Sequence, residues 1–223
     1  TTIKSRNLKE TFDIFENINS ESYSVAWIDC LAKGDNLGRG HVIYGDFMQD
    51  GDLLKKPTFE LNIPFYFPSW ALSKLTVKLF NWFYYHRIFI KKTQGKVNFN
   101  SFFFPLDGIK NWNRIYGRRG FTQYQFIFPL QSSYEGISQI LHHIAKLGKG
   151  SFLAVLKLYG KANKNFLSFP MEGYSLALDF KIEEGIFELL DNLDKVVVQN
   201  GGRIYLSKDV RVSKEVFEKG YPM

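Results

Sequence analysis

Two side-chain amides stand two residues apart in the run Phe121-Thr122-Gln123-Tyr124-Gln125-Phe126. Alternate side chains of an extended strand share a face, so Gln123 and Gln125 project together while Tyr124 and Phe126 point the other way. Each amide offers two donors and an acceptor in a fixed plane, which suits sugar hydroxyls; an exposed polar strand face shows the same pattern. In the run from Phe152 to Tyr159, the positions Leu153, Val155, Lys157 and Tyr159 share a face, setting one cation among apolar neighbours. Such a lysine either meets an anion or lays its stem on the sheet with its head in water. A further cation, Lys208, precedes Asp209 at the end of a short strand-like segment, where it is a site residue or half of a solvated neighbour pair.

Other chemistries lack their residues. The glycine-rich nucleotide fingerprint, the phosphate-loop lysine, the nucleophile elbow and the paired-histidine zinc helix are all missing. His142 and His143 are adjacent, so on a helix they point about 100° apart, and two ligands of one metal want a spacing of four. No metal site is expected. Cys30 is alone, which excludes an internal disulfide and a thiolate cage and fits a reducing compartment.

The elements that must position these residues follow from periodicity. Asn7 and Glu10 have the spacing of a capping box, and Leu8, Thr11, Phe12 and Phe15 recur at helical spacing behind it. Tyr23 to Asp29 alternates as a mostly buried strand, and glycines 34, 38, 40 and 45 punctuate a loop and a short strand at His41 to Tyr44. Between Leu61 and Lys92, Pro64 and Pro68 exclude helix, and Ser69 can cap one with Leu72, Leu75, Leu79, Trp82 and Phe83 as its apolar face. Trp70, Trp82, Tyr84 and Tyr85 with Lys74, Lys78, Arg87, Lys91 and Lys92 form an aromatic and basic ensemble, suited to an interfacial contact or to packing on a sheet.

From Gly120 onward a pattern occurs twice. A strand at Gln123 to Phe128 leads to a helix facing inward with Ile137, Ile140, Leu141, Ile144 and Leu147, then to a strand at Phe152 to Tyr159. A strand at Tyr174 to Phe180 then leads to a helix with Ile186, Leu189, Leu190, Leu193 and Val197, and to a strand at Arg203 to Leu206. These two units predict an α+β fold with helices packed on one face of a sheet, as ferredoxin-like repeats.

The 223 residues, 45% hydrophobic, suffice for one domain spanning 1–223, and Thr1-Thr2 at the start reads as the edge of an excised piece. No run of 18 uncharged apolar residues and no signal peptide is visible. A net charge of +7 favours anionic partners. Aromatic content of 17% fits ligand pockets and membrane interfaces, or a Phe-rich core.

Several ordered blocks carry a resemblance. Val25-Ala26-Trp27-Ile28-Asp29, Pro105-Leu106-Asp107, Trp112 to Gly117, Ser151 to Lys157, Leu167 to Met171, Leu178-Asp179-Phe180 and Gly201 to Asp209 resemble, in order, the C-terminal half of the decaprenylphosphoryl-β-D-ribose oxidase family of vanillyl-alcohol-oxidase-type flavoproteins. The resemblance covers most of residues 23 to 222. It implies an antiparallel sheet serving as substrate-binding cap domain, with FAD held mainly by an N-terminal domain absent from this chain. The isolated chain is therefore expected to show no oxidase activity and no tightly bound flavin.

The resemblance also implies roles. Lys208 matches the lysine that approaches flavin and substrate, as the catalytic and cofactor-contacting residue. Gln123, Gln125, Lys157 and Tyr159 match pocket-lining positions, and Trp27, Phe103, Leu106, Trp112, Leu153 and Val155 match apolar walls. Ser175 and Ala177 stand where the mycobacterial type carries Asn and Cys, and Phe104 where it has a polar ring, so the pocket is drier and differently shaped. The implied reaction is oxidation of a secondary hydroxyl of a polyprenylphosphoryl ribose-like sugar to its 2-keto form, with a short-chain dehydrogenase-type reductase as partner. An aldonolactone or alditol oxidase, and a non-enzymatic lipid-binding or anionic-ligand module, are the alternatives. Peripheral membrane contact through residues 61–92 is expected, no nucleic acid is, and the location is cytoplasmic or peripheral at the membrane or cell envelope.

Overall fold

In the computed structural model, which describes residues 1–18, 22–49 and 60–222, the chain opens with β1 (Thr2–Ser5), α1 (Leu8–Asn17), β2 (Tyr23–Ile28) and β3 (Gly40–Gly45). It continues through β4 (Leu61–Asn62), α2 (Lys74–His86), β5 (Lys92–Thr93), α3 (Phe99–Phe103) and β6 (Ile109–Lys110). The last part holds β7 (Phe121–Pro129), α4 (Leu130–Leu147), β8 (Ala154–Tyr159), β9 (Gly173–Lys181), α5 (Ile186–Gln199), β10 (Arg203–Ile204) and α6 (Lys214–Gly220). Eight strands form one sheet in the order β10-β7-β9-β8-β2-β3-β1-β5, and every neighbouring pair is antiparallel.

The unit β7-α4-β8-β9-α5-β10 gives the strand order 10-7-9-8, the ferredoxin-like split arrangement that the doubled pattern predicts. Leu8, Phe12 and Phe15 of α1, Ile137, Ile140, Leu141 and Ile144 of α4, and Leu189, Leu190 and Leu193 of α5 share one core cluster with Phe126, Phe128, Leu156, Leu176, Leu178 and Phe180 of the sheet. Each such side chain taken fully from water contributes roughly 1.5–3 kcal/mol. Asn7 caps α1 by accepting from the Glu10 amide at 3.0 Å. Gly148 ends α4 at φ 70°, the left-handed conformation in which glycine carries no Cβ penalty. Leu147, predicted on the inward face of α4, is exposed in its last turn.

Two expectations for the middle of the chain need correction. Ser69 lies in a single 3-10 turn, and α2 starts five residues later at Lys74 with Ser73 as its cap, where Ser73 and Thr76 exchange side-chain to backbone bonds. The face of α2 that meets the protein is Val77, Asn81 and Tyr85, whereas Leu75, Leu79, Trp82 and Phe83 are exposed. A polar inner contact drives this. Asn81 Nδ2 donates to Asp29 Oδ1 at 2.8 Å, and His41 Nε2 lies 3.1 Å from the Tyr85 carbonyl, so α2 is fastened to the ends of β2 and β3 on the sheet face opposite α1, α4 and α5.

Candidate functional site

The sheet face turned away from the three core helices carries the candidate residues, and strand register sets them in rows. Gln125 is opposite Ala177, Ala177 opposite Val155, Val155 opposite Trp27, and Trp27 opposite His41, one row across five strands. In the adjacent row Ile127 faces Ser175 and Ser175 faces Lys157, and on the other side Gln123 faces Asp179. With neighbouring strands about 4.8 Å apart, the distance from Gln125 to Trp27 is roughly 14 Å.

Hydrogen bonds fix the polar members. Gln125 Nε2 donates to Ser175 Oγ at 3.1 Å, and Gln123 Nε2 donates to Asp179 Oδ1 at 3.0 Å. Both bonds use an amide donor, so the two amides are oriented by β9. Gln125, Ser175 and Asp179 are buried, Gln123 and Tyr159 are half-buried, and Lys157 is exposed at the rim. Lys157 therefore stands across from the Ser175 hydroxyl rather than among purely apolar neighbours. Burial pushes the Tyr159 hydroxyl up, against a hydrogen bond with Gln125 that lowers it.

Aromatic rings close both ends of the face. Phe169 packs tilted against Tyr205 at 4.5 Å and meets Tyr159 edge-on at 6.0 Å. At the other end Trp27 donates Nε1–H to the Phe152 carbonyl at 2.9 Å and packs against Tyr84 of α2 at 4.6 Å. Trp112 packs at 5.0 Å on Phe121, in step with Gln123 along β7. Phe103 packs at 4.9 Å on Tyr23, in step with Trp27 along β2. Leu153 precedes β8 and is half-buried, as is Leu106 in the turn before β6; Phe104 is exposed beside Phe99.

Lys208 lies in the turn after β10, which is two residues long rather than the four predicted. The chain leaves the ladder at Tyr205, whose amide still donates to the Gln125 carbonyl at 2.8 Å, and the Lys208 amide turns back to the Tyr205 carbonyl at 3.0 Å. Both Asp209 carboxylate oxygens accept from the amides of Arg211 and Val212. Arg211 in turn donates to Asp194 at 2.8 Å, and the buried Tyr124 hydroxyl donates to the same carboxylate at 2.8 Å. The loop bearing Lys208 is thus anchored through the sheet to α5.

Asp179 is the residue that sequence reasoning missed. It alternates in step with Ser175 and Ala177, so the period of two along β9 was its available signal. Burial raises its carboxyl above the ordinary range, while the Gln123 amide and the Lys208 charge lower it, and its Oδ2 is buried with no hydrogen-bond partner. Lys208 therefore acts electrostatically on the Asp179 and Gln123 end of the face. Among the described residues no group of three or more His, Cys, Asp or Glu could hold a metal ion. His142 and His143 are exposed, each with Nδ1 at a carbonyl of its own helix.

No family model matches the chain. Among curated proteins it is 35% identical over 228 residues to decaprenylphosphoryl-β-D-ribose oxidase of Mycolicibacterium smegmatis, an alignment covering 97% of this chain and 49% of that protein. It is 28% identical over 225 residues to an uncharacterized protein in the mprA 5' region of Streptomyces coelicolor, covering 91% of this chain and 59% of that one. The chain spans about half the length of the curated relatives it matches. The resemblance carried by the ordered blocks thus holds along nearly the whole chain: it is similar to about half of a decaprenylphosphoryl-β-D-ribose oxidase.

Proposed function

We propose that this chain forms the substrate-binding part of an FAD-dependent oxidoreductase that converts a secondary hydroxyl of a polyprenylphosphoryl ribose-like sugar to the 2-keto form. The observation that carries this reading is the polar face itself, where two oriented amides, a buried serine, a rim lysine and an aromatic wall stand in adjacent rows. Similarity to a named ribose oxidase over 97% of the chain supports it.

The residues fit a flavin at one edge. Lys208 supplies a charge on an anchored loop, and Asp179 Oδ2 is an acceptor without a partner in the chain. When bound, the flavin supplies the hydride acceptor. Lys208 would then stabilise the negative charge that builds on the hydride acceptor as the carbinol carbon gives up its hydride and the hydroxyl proton leaves to solvent, and such a preorganised charge acts most strongly in a site closed to bulk water. Gln123 has its amide nitrogen engaged by Asp179, which leaves its carbonyl oxygen for a sugar hydroxyl. Ser175 Oγ, already accepting from Gln125, keeps its own proton to donate to a sugar oxygen, and Lys157 beside it suits the phosphate. The keto sugar would pass to a short-chain dehydrogenase-type reductase.

Anaerobic stopped-flow on flavin-loaded protein containing this chain tests the reading. A polyprenylphosphoryl ribose should bleach the flavin absorption, and Lys157→Ala should weaken substrate binding by roughly 1.5–3 kcal/mol, the worth of a charged hydrogen bond. Bleaching by an aldonolactone or alditol, with none by the lipid-linked ribose, would overturn the substrate assignment.

A further inference from the structure

Helix α2 turns its apolar stripe away from the protein. Val77, Asn81 and Tyr85 are buried, and at about 100° per residue Leu75, Leu79, Trp82 and Phe83 lie on the opposite side. Leu75 is 75% exposed and Phe83 59%. The patch continues in chain neighbours, with Trp70 70% exposed and Phe89 92% exposed. Contiguous exposed apolar surface of this kind marks an interaction site.

The charge around the stripe identifies what covers it. Acidic residues number 22 in 223, about one in ten, yet none occurs between Leu61 and Leu106, while Lys74, Lys78, Arg87, Lys91, Lys92 and Lys96 all do. Lys74, Lys78, Arg87 and Lys92 are exposed, and the Arg87 guanidinium lies 3.8 Å over the Tyr84 ring. Bulky aromatic and aliphatic side chains bordered by cations, without anions, match the interfacial layer of an anionic bilayer. At 13 residues α2 is about 20 Å long, short of the roughly 30 Å hydrocarbon core, and no described helix is long and apolar enough to cross a membrane. A helix of this size lies in the interface.

We propose that α2 and its flanking turns seat this protein on the surface of an anionic lipid bilayer, with Leu75, Leu79, Trp82 and Phe83 among the acyl-chain ends of the headgroup layer and Lys78 and Arg87 at the phosphates. The inner side of the same helix packs Tyr84 on Trp27, the aromatic wall of the polar sheet face. That face therefore lies within about one helix diameter, roughly 10 Å, of the lipid. The inference stands on α2 and its flanking turns and does not depend on any flavin chemistry.

Co-sedimentation of the 223-residue chain with vesicles is the test. Vesicles of phosphatidylglycerol and phosphatidylcholine should carry the protein down, and pure phosphatidylcholine vesicles should carry far less. The double variants Leu79→Glu/Phe83→Glu and Lys78→Glu/Arg87→Glu should each bind anionic vesicles roughly tenfold more weakly or less. All four positions are exposed, so far-UV circular dichroism should be unchanged; if the glutamates disturb the helix, Leu79→Ser/Phe83→Ser replaces them with the same expected loss. Wild-type protein that stays in the supernatant, or folded variants that bind as well as wild type, would overturn the proposal. So would sedimentation velocity showing a dimer that Leu79→Glu/Phe83→Glu dissolves, because a second copy would then be the occupant.

Discussion

Asp179 keeps a carboxyl group inside the protein with one oxygen bonded to Gln123 and the other unpartnered. Folding is weakened by such a group, since a buried acceptor without a donor forfeits roughly 1–3 kcal/mol of hydration. The raised carboxyl gives the sign of the pH effect: the folded state holds the proton more tightly than the unfolded one, so the group's contribution worsens as pH rises through the folded value. Asp179→Asn should therefore unfold at higher urea than wild type at pH 7, with the advantage shrinking as the medium is acidified and the wild-type carboxyl protonates. Function should move the other way, because the carboxylate orients Gln123 and interacts with Lys208. A variant less stable than wild type at neutral pH would show that Asp179 is structural. For Lys208 itself the expectation is kinetic. In the flavin-loaded protein, Lys208→Ala should slow flavin reduction by roughly 10²–10³-fold and change substrate affinity only a few-fold, since its role is confined to the transition state. An unchanged reduction rate would remove it from the mechanism.

Elements differed in how far they could be read from sequence. Helices α4 and α5 were legible because their apolar residues keep a 3.6-residue period over many turns, and β7 and β9 because alternation places Phe126 and Leu176 on the face that meets the core helices and Gln125 and Ser175 on the other. Helix α2 also has an apolar stripe, yet periodicity states only that a face exists and not what it meets. Its buried side is fixed by the Asn81 contact to Asp29, 52 residues away, which no local pattern announces. The candidate site divides the same way. The shared face of Gln123 and Gln125 was legible, but their partners lie on β9 about fifty residues later and depend on register. The Gly201-Gly202 punctuation has a packing cause, since a Cβ on Gly202 would stand 2.5 Å from the Ile127 carbonyl oxygen. Gly202→Ala should push β10 off β7 and lower stability by about 1–3 kcal/mol, as overpacking does. It should also loosen the Tyr205 to Gln125 bond that carries the Lys208 loop, visible as faster amide exchange at Tyr205. Unaltered exchange there would mean the loop is held by Arg211 and Asp194 alone.

Across the whole molecule, α2 is fastened to the sheet at His41, and this makes the fastening sensitive to acid. His41 is fully buried between β2, β1 and α2, with Nε2 on the Tyr85 carbonyl and Nδ1 unpartnered. Burial above all, reinforced by the charges of Arg87 and Lys4, holds its imidazole down at about 4 despite the Tyr85 bond. The unfolded chain takes up a proton near pH 6.5 that the folded protein refuses until about 4, so stability falls as pH drops through that window. Glu10 acts in the next one. Hydrogen bonds from Lys91 and Arg6 overcome its burial and hold its carboxyl at about 2, so its contribution is present above about 4.5 and is lost on further acidification. Urea unfolding of wild type should thus show a loss of about 2 kcal/mol between pH 7 and pH 4.5. His41→Gln, whose amide can still donate to the Tyr85 carbonyl, should have a clearly shallower slope over that range while keeping the loss below it. A variant with the wild-type slope would place the sensitivity elsewhere. Because the buried imidazole lies beneath α2, acid should loosen that helix first, and Trp82 fluorescence should change at milder pH than the far-UV signal of the sheet and its three core helices.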